Sequence, residues 1–133
     1  MAKKLWDKGL PIDVKIEAIT IGKDNEWDLR LAPCDVQGSI AHVKMLAKVG
    51  LLSQQECDTL VAELERILKE DIETGQFVMN DGVEDIHSQI EFMLTEKLGL
   101  LGKKIHAGRS RNDQVLVDLK LYFRDEIVKL TGQ

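Results

Sequence analysis

The sequence has 133 residues, 44% of them hydrophobic, with 18 lysines and arginines against 23 aspartates and glutamates for a formal charge of −5. Those proportions are those of one soluble globular domain, or one with a fragment of another. The acidic balance argues against a nucleic-acid partner, whose binding needs Lys and Arg to neutralise phosphates, and no apolar run approaches the ~20 residues of a membrane-spanning helix.

Residues 1–28 form the least regular part, punctuated by Gly9, Pro11 and Gly22, with Val14-Lys15-Ile16-Glu17 alternating like a short strand. Met1-Ala2-Lys3-Lys4 leads into Asp7, Lys8 and Asp13 rather than an apolar stretch, so no signal peptide is read. The expectation is an extended arm lying over a core made elsewhere, because Trp6 and Trp27 are costly to expose. From residue 29 everything reads as helix. Val36, Ile40, Val43 and Ala47 recur at helical spacing, and Gly50 supplies a stop. Ser53-Gln54-Gln55-Glu56 is a capping box opening a second helix, antiparallel to the first, that carries Cys57, Leu60, Val61, Leu64, Ile67, Leu68 and Ile72 towards Gly75. Asp81 with Glu84 is expected to start a third helix, ended by Gly99, and Leu100 to Gly108 reads as a loop. A last helix runs from about Ser110–Asn112 to Leu130 with apolar residues on nearly every face, the mark of a helix inside a large bundle. Its Val115, Leu119, Tyr122, Phe123, Val128 and Leu130 exceed what three short helices can cover, so the chain reads as a piece of a larger all-α protein and is expected to self-associate. Cys34 and Cys57 are expected as small buried thiols in a reducing cytoplasm.

The stretch His106-Ala107-Gly108-Arg109-Ser110-Arg111-Asn112-Asp113-Gln114 carries the chemistry. A helix N-terminus offers unpaired N–H groups, two arginines add forked donors for a carboxylate, and Ser110 and Asn112 add directional hydrogen bonds. The plainer alternative is a simple helix cap with Asp113 in the first turn. The three histidines show no metal spacing, since Asp85-x-His87 needs further ligands. His42 and His106 read as structural. His87, beside Val83, Ile86 and Ile90, reads from its neighbours alone as a partly buried structural histidine.

Gly-Arg-Ser-Arg-Asn-Asp-Gln at 108–114 resembles the corresponding block of the argininosuccinate lyases, in the fumarase/aspartase superfamily. So do Asp35-Val36-Gln37-Gly38-Ser39-Ile40-Ala41-His42 with Met45-Leu46, Glu84-Asp85-Ile86-His87 and the opening Lys4-Leu5-Trp6, in the family's order. After Trp6 the family has a glycine-rich stretch, whereas this sequence has Asp7-Lys8-Gly9-Leu10-Pro11. The resemblance implies an all-α, fumarase/aspartase-like fold, with an arm over 1–28, an N-terminal helical domain over 29–110 and the truncated start of a central helical bundle over 111–133. It implies β-elimination of argininosuccinate to arginine and fumarate in arginine biosynthesis, no metal or organic cofactor, and a cytoplasmic homotetramer whose sites draw on three subunits. Ser39, Arg111 and Asn112 fall at substrate-binding positions, with Arg109 and Ser110 as further candidates. Asp85 and His87 fall at positions that support activity, placing His87 near the site as a hydrogen-bonding group. The family's catalytic serine, on a glycine- and lysine-containing loop, and its Thr-His pair lie beyond the position of Gln133. No catalytic residue is therefore assigned within this stretch, which is expected to be inactive alone. The alternative is a non-catalytic helical oligomerisation or binding module that retains the fold.

Overall fold

A computed structural model of the chain describes Ile19, residues 24–80 and residues 83–132. The expected strand at 14–17 and Trp6 lie outside these. Among the described residues all regular structure is helical, and none of the helices is long and apolar enough to cross a membrane.

Helix starts earlier than expected. A short helix α1 (Asp24–Asp28) passes through a 3₁₀ turn (Leu29–Leu31) into α2 (Ala32–Lys48), with Pro33 in its first turn where no N–H is missed. Trp27, which the arm was expected to bury against the core, is instead 58% exposed. Its ring is covered on one face by the Arg30 guanidinium, 4.7 Å from the ring centre.

Helix α3 (Gln54–Arg66) runs back along α2. Its start is the capping box the sequence announces: the Ser53 N–H donates to Glu56 Oε2 at 2.9 Å and the Glu56 N–H to Ser53 Oγ at 3.2 Å. Instead of continuing as α-helix to Gly75, the chain widens into a π-helical stretch over Ile67–Ile72, where the Glu73 N–H reaches Leu68 O at 2.9 Å. Ile67 stays buried there, and Arg66 pairs with Glu63 one turn before it and with Glu70 and Asp71 in the wider stretch.

Helix α4 (Ile86–Leu98) begins later than the Asp81–Glu84 pairing suggests. Asp85 is the cap: its backbone is extended and its carboxylate accepts the Ser88 N–H at 2.8 Å, so helix cannot extend towards Val83. The stretch expected as a loop is helical as well, with α5 (Leu100–Lys103) followed by a 3₁₀ turn (Lys104–His106). Gly102 is a packing residue rather than loop punctuation, because a Cβ there would stand 2.5 Å from the Leu94 backbone. Helix α6 (Arg111–Thr131) packs on α2.

Val36, Val43 and Leu46 of α2, Leu60 and Leu64 of α3, Ile67, and Ile86, Ile90 and Leu94 of α4 form the core, each at most 1% exposed. Each such side chain contributes roughly 1.5–3 kcal/mol of burial. Both cysteines are free and buried, as expected. Helix α6 takes little part in this core: its buried residues are Gln114 and Asp118. Phe123, Val128 and Leu130, with Leu116, Val117 and Ile127, stand exposed, while Val115, Leu119 and Tyr122 are half-buried.

Candidate functional site

The polar side of α6 meets α2 and α4. Arg111, Gln114 and Asp118 fall at i, i+3 and i+7, one stripe along a helix that carries a second polar strip at Asp113, Lys120 and Arg124 and apolar residues between the two. At its inner end three buried ionisable groups from three helices converge. His87 Nδ1 lies 2.7 Å from Asp35 Oδ1 and 3.6 Å from Asp118 Oδ2, and none of the three residues is more than 4% exposed.

Burial is the largest influence on Asp118 and, with the negative charge of Asp35, pushes its carboxyl up to about 7 against the pull of His87 and Arg109. Burial alone would lower His87. The hydrogen bond and charge of Asp35, with the charges of Asp118 and Asp85, outweigh it and leave His87 raised. Asp35, His87 and Asp118 offer ligand atoms within 4.8 Å of one another, a set that in principle suits a divalent cation. The imidazole nitrogen is engaged with Asp35 and the Arg109 charge acts on both carboxylates, while Asp35 Oδ2 and Asp118 Oδ2 are buried without a hydrogen-bond partner. A proton on Asp118 lessens the repulsion between the two carboxylates.

Towards the start of α6 the chain turns at Gly108, with φ +72°, a conformation that favours glycine. Arg109 then folds inward and its Nη2 donates to Ser39 Oγ at 3.0 Å, over a serine that is completely buried. Arg111 is held from two sides: Nη1 lies 3.0 Å from Asp85 Oδ1, and Nη2 donates to Ser88 Oγ at 2.9 Å. Ser110 caps the helix, its N–H and hydroxyl both donating to the Asp113 carboxylate at 2.7 and 2.8 Å, which holds that carboxyl below its usual range. Asn112 stands exposed in the first turn. His42 donates from Nε2 to Ala107 O at 2.8 Å, tying α2 to the loop before α6, and burial lowers its pKa.

Of the residues singled out in the sequence, Ser39 with Arg109, and Asp85 with Arg111, are thus in direct contact, and His87 lies behind them. Asn112 and Ser110 occupy the exposed rim. The sequence reading overlooked three partners: Asp35, Ser88 and Asp118. The signal for Asp118 was its spacing from Arg111 and Gln114, which repeats a polar residue at helical intervals through an apolar run.

Comparison with known proteins gives one consistent result. A family model described as Lyase matches residues 16–133. The chain is 56% identical over 133 residues, its whole length, to 30% of the argininosuccinate lyase of Phocaeicola vulgatus. It is 52% identical over 130 residues (98% of the chain) to 29% of the Parabacteroides distasonis argininosuccinate lyase. It is also 44% identical over 130 residues (98%) to 32% of the Thermotoga neapolitana argininosuccinate lyase. The chain therefore spans less than a third of the length of these curated relatives.

Proposed function

We propose, for a chain that belongs to the lyase family, that it forms the N-terminal portion of a cytoplasmic enzyme cleaving argininosuccinate to arginine and fumarate by β-elimination in arginine biosynthesis. The observation that supports this reading is the start of α6, where Arg109, Arg111 and Asn112 gather at the N-terminus of a 21-residue helix. Unpaired N–H groups and the helix dipole favour anions there. Argininosuccinate carries carboxylates at the reacting end. Taking a proton from the carbon beside one of them builds an aci-carboxylate with added negative charge, and fixed donors stabilise it without reorganising.

In this reading Arg111 and Asn112 grip the succinyl carboxylates. Asp85 and Ser88 aim the Arg111 fork, and Arg109 lies over Ser39 at the floor of the site. His87, clamped between Asp35 and Asp118, holds the start of α4 in place and transfers no proton. The base and its histidine partner come from sequence beyond residue 133, so the chain alone is inactive. Residues 29–110 form the N-terminal domain, and 111–133 open a central bundle shared in a homotetramer, whose helices cover the exposed apolar side of α6.

A second reading, a non-catalytic module that keeps the fold for binding or assembly, draws on one observation: Ser39 is fully buried beneath Arg109. A chimera separates the two. With this chain in place of the matching segment of the Phocaeicola vulgatus enzyme, ultraviolet absorbance should report fumarate release, while the chain alone gives none. Within the chimera, Arg111→Lys should damage kcat/KM nearly as much as Arg111→Ala, since a point charge does not replace a planar fork. A chimera that assembles but releases no fumarate overturns the catalytic reading and favours the second.

A further inference from the structure

Between α2 and α6 lies a cavity of about 100 Å³, lined from α2 by Gly38, from α6 by Gln114, Val117 and Asp118, and by Arg109, which precedes that helix. Position 38 shapes it by carrying no side chain. A Cβ there would stand 3.1 Å from Val117 Cγ1 and 3.6 Å from Asp118 Oδ1.

Three of the lining residues carry a buried polar atom with no hydrogen-bond partner among the described residues: Arg109 Nε, Gln114 Oε1 and Asp118 Oδ2. Gln114 and Asp118 are only 6% and 1% exposed. A buried polar atom left unpaired is costly, and native interiors satisfy nearly all of them with protein or with ordered water. Here a donor and two acceptors belong to one cavity wall without pairing with each other. Arg109 Nη2 already donates to Ser39 Oγ at 3.0 Å, so Nε is the part of that guanidinium still in need of an acceptor. Asp118 leans Oδ2 towards His87 Nδ1 at 3.6 Å and keeps Oδ1 nearer Gly38.

We propose that this cavity is a hydration site, in which on the order of three ordered waters join Arg109 Nε to Gln114 Oε1 and reach the Asp118 carboxyl, and that Gln114 is through them a positioning residue for Arg109. The volume agrees, since a water takes about 30 Å³ of liquid and needs two to four polar partners. The mixed lining favours water over an ion. An anion would meet the carboxyls of Asp113 and Asp118, and a cation would meet the Arg109 guanidinium. Water donates to the first and accepts from the second, at nearly the enthalpy of a direct hydrogen bond. Arg109 is then held by α2 through Ser39 and by α6 through the waters, so one guanidinium fastens both helices. The site is built from residues of this chain alone and does not rest on the catalytic reading above.

Nuclear magnetic resonance of the ¹⁵N-labelled full chain tests this. Gly38 Hα, the Val117 methyls and Arg109 Nε–H should show Overhauser cross-peaks to water with the sign of long-lived molecules, and Arg109 Nε–H should exchange slowly. Gln114→Met keeps the side chain's length and removes the acceptor. It should speed exchange of Arg109 Nε–H several-fold while the amides of α2 exchange as before, a difference that general loosening would not produce. Gly38→Ala leaves every polar group in place and fills the cavity from α2, at a helical position where alanine is the better helix former. It should remove the water cross-peaks of Val117 and also speed Arg109 Nε–H exchange. Absence of long-lived water cross-peaks in the parent chain overturns the proposal. So does an Arg109 Nε–H that neither variant changes, which would leave Gln114 without a positioning role. A resonance of that group that shifts saturably with chloride assigns the cavity to an anion and refutes water as its occupant.

Discussion

Replacing Asp118 by Asn tests whether the buried cluster holds a proton. The carboxyl sits at about 7 in the folded chain, against an ordinary value of 3.8. Because the folded value is the higher one, the folded chain binds this proton more tightly. The associated stability is complete below the unfolded value and is lost as pH rises through about 7. Integrated from about pH 5 to about pH 8, the difference amounts to about 2–3 kcal/mol. His87, also raised, adds a loss in the same direction. Asn resembles a protonated carboxyl in shape and hydrogen bonding, so Asp118→Asn and the parent chain should be close in stability at the acid end. At the alkaline end the parent must bury a charge that the variant lacks, and the variant should be the more stable. Urea unfolding followed by circular dichroism reads this directly. With a slope of about 1–3 kcal/mol per M, the gap between midpoints should open by roughly 1 M or more across the range. Glu56 and Asp113, both lowered, favour the opposite trend, but they are present in both proteins and cancel. Parallel pH profiles for the two chains would refute the proton-holding cluster.

Three further outcomes are expected. Ser53→Ala removes the acceptor of the Glu56 N–H and should cost about 1 kcal/mol in urea unfolding, as the loss of a helix cap does. Gly102→Ala forces a methyl to within 2.5 Å of the Leu94 backbone and should destabilise by roughly 1–3 kcal/mol; an unchanged midpoint would mean that α5 does not press on α4. Light scattering at micromolar concentration should find the isolated chain associated through α6, and Ile127→Glu with Leu130→Glu should return it to a monomer of 15.0 kDa.

The α2–α3 hairpin was legible from local chemistry alone, because the Ser53–Glu56 box and the apolar spacing of Leu60 and Leu64 act within a few residues of one another. The start of α6 was legible for the same reason. Elements that depend on a distant partner were not. Nothing near Gly102 announces that α4 will lie against it, so the glycine read as a loop. The Asp81–Glu84 spacing imitates a cap, while the working cap, Asp85, also faces Arg111 across 26 residues. Of the site, the arginines stood out because they cluster in sequence. Asp35, Ser88 and Asp118 did not, since each acquires its role from a side chain on another helix.

Helix α6 turns its apolar sides outward and buries Gln114 and Asp118. A cylinder that carries apolar residues on more than one side can hide comparable area in more than one orientation. Arg111 hooked on Asp85 and Ser88, and Asp118 lodged beside His87, select one. A turn of the helix by one residue, about 100°, would drag both out of register and strand a carboxylate in the core. The phase is thus set by polar contacts, and the hydrophobic faces inherit it: whatever later packs against Phe123, Ile127 and Leu130 meets a surface whose azimuth is already decided.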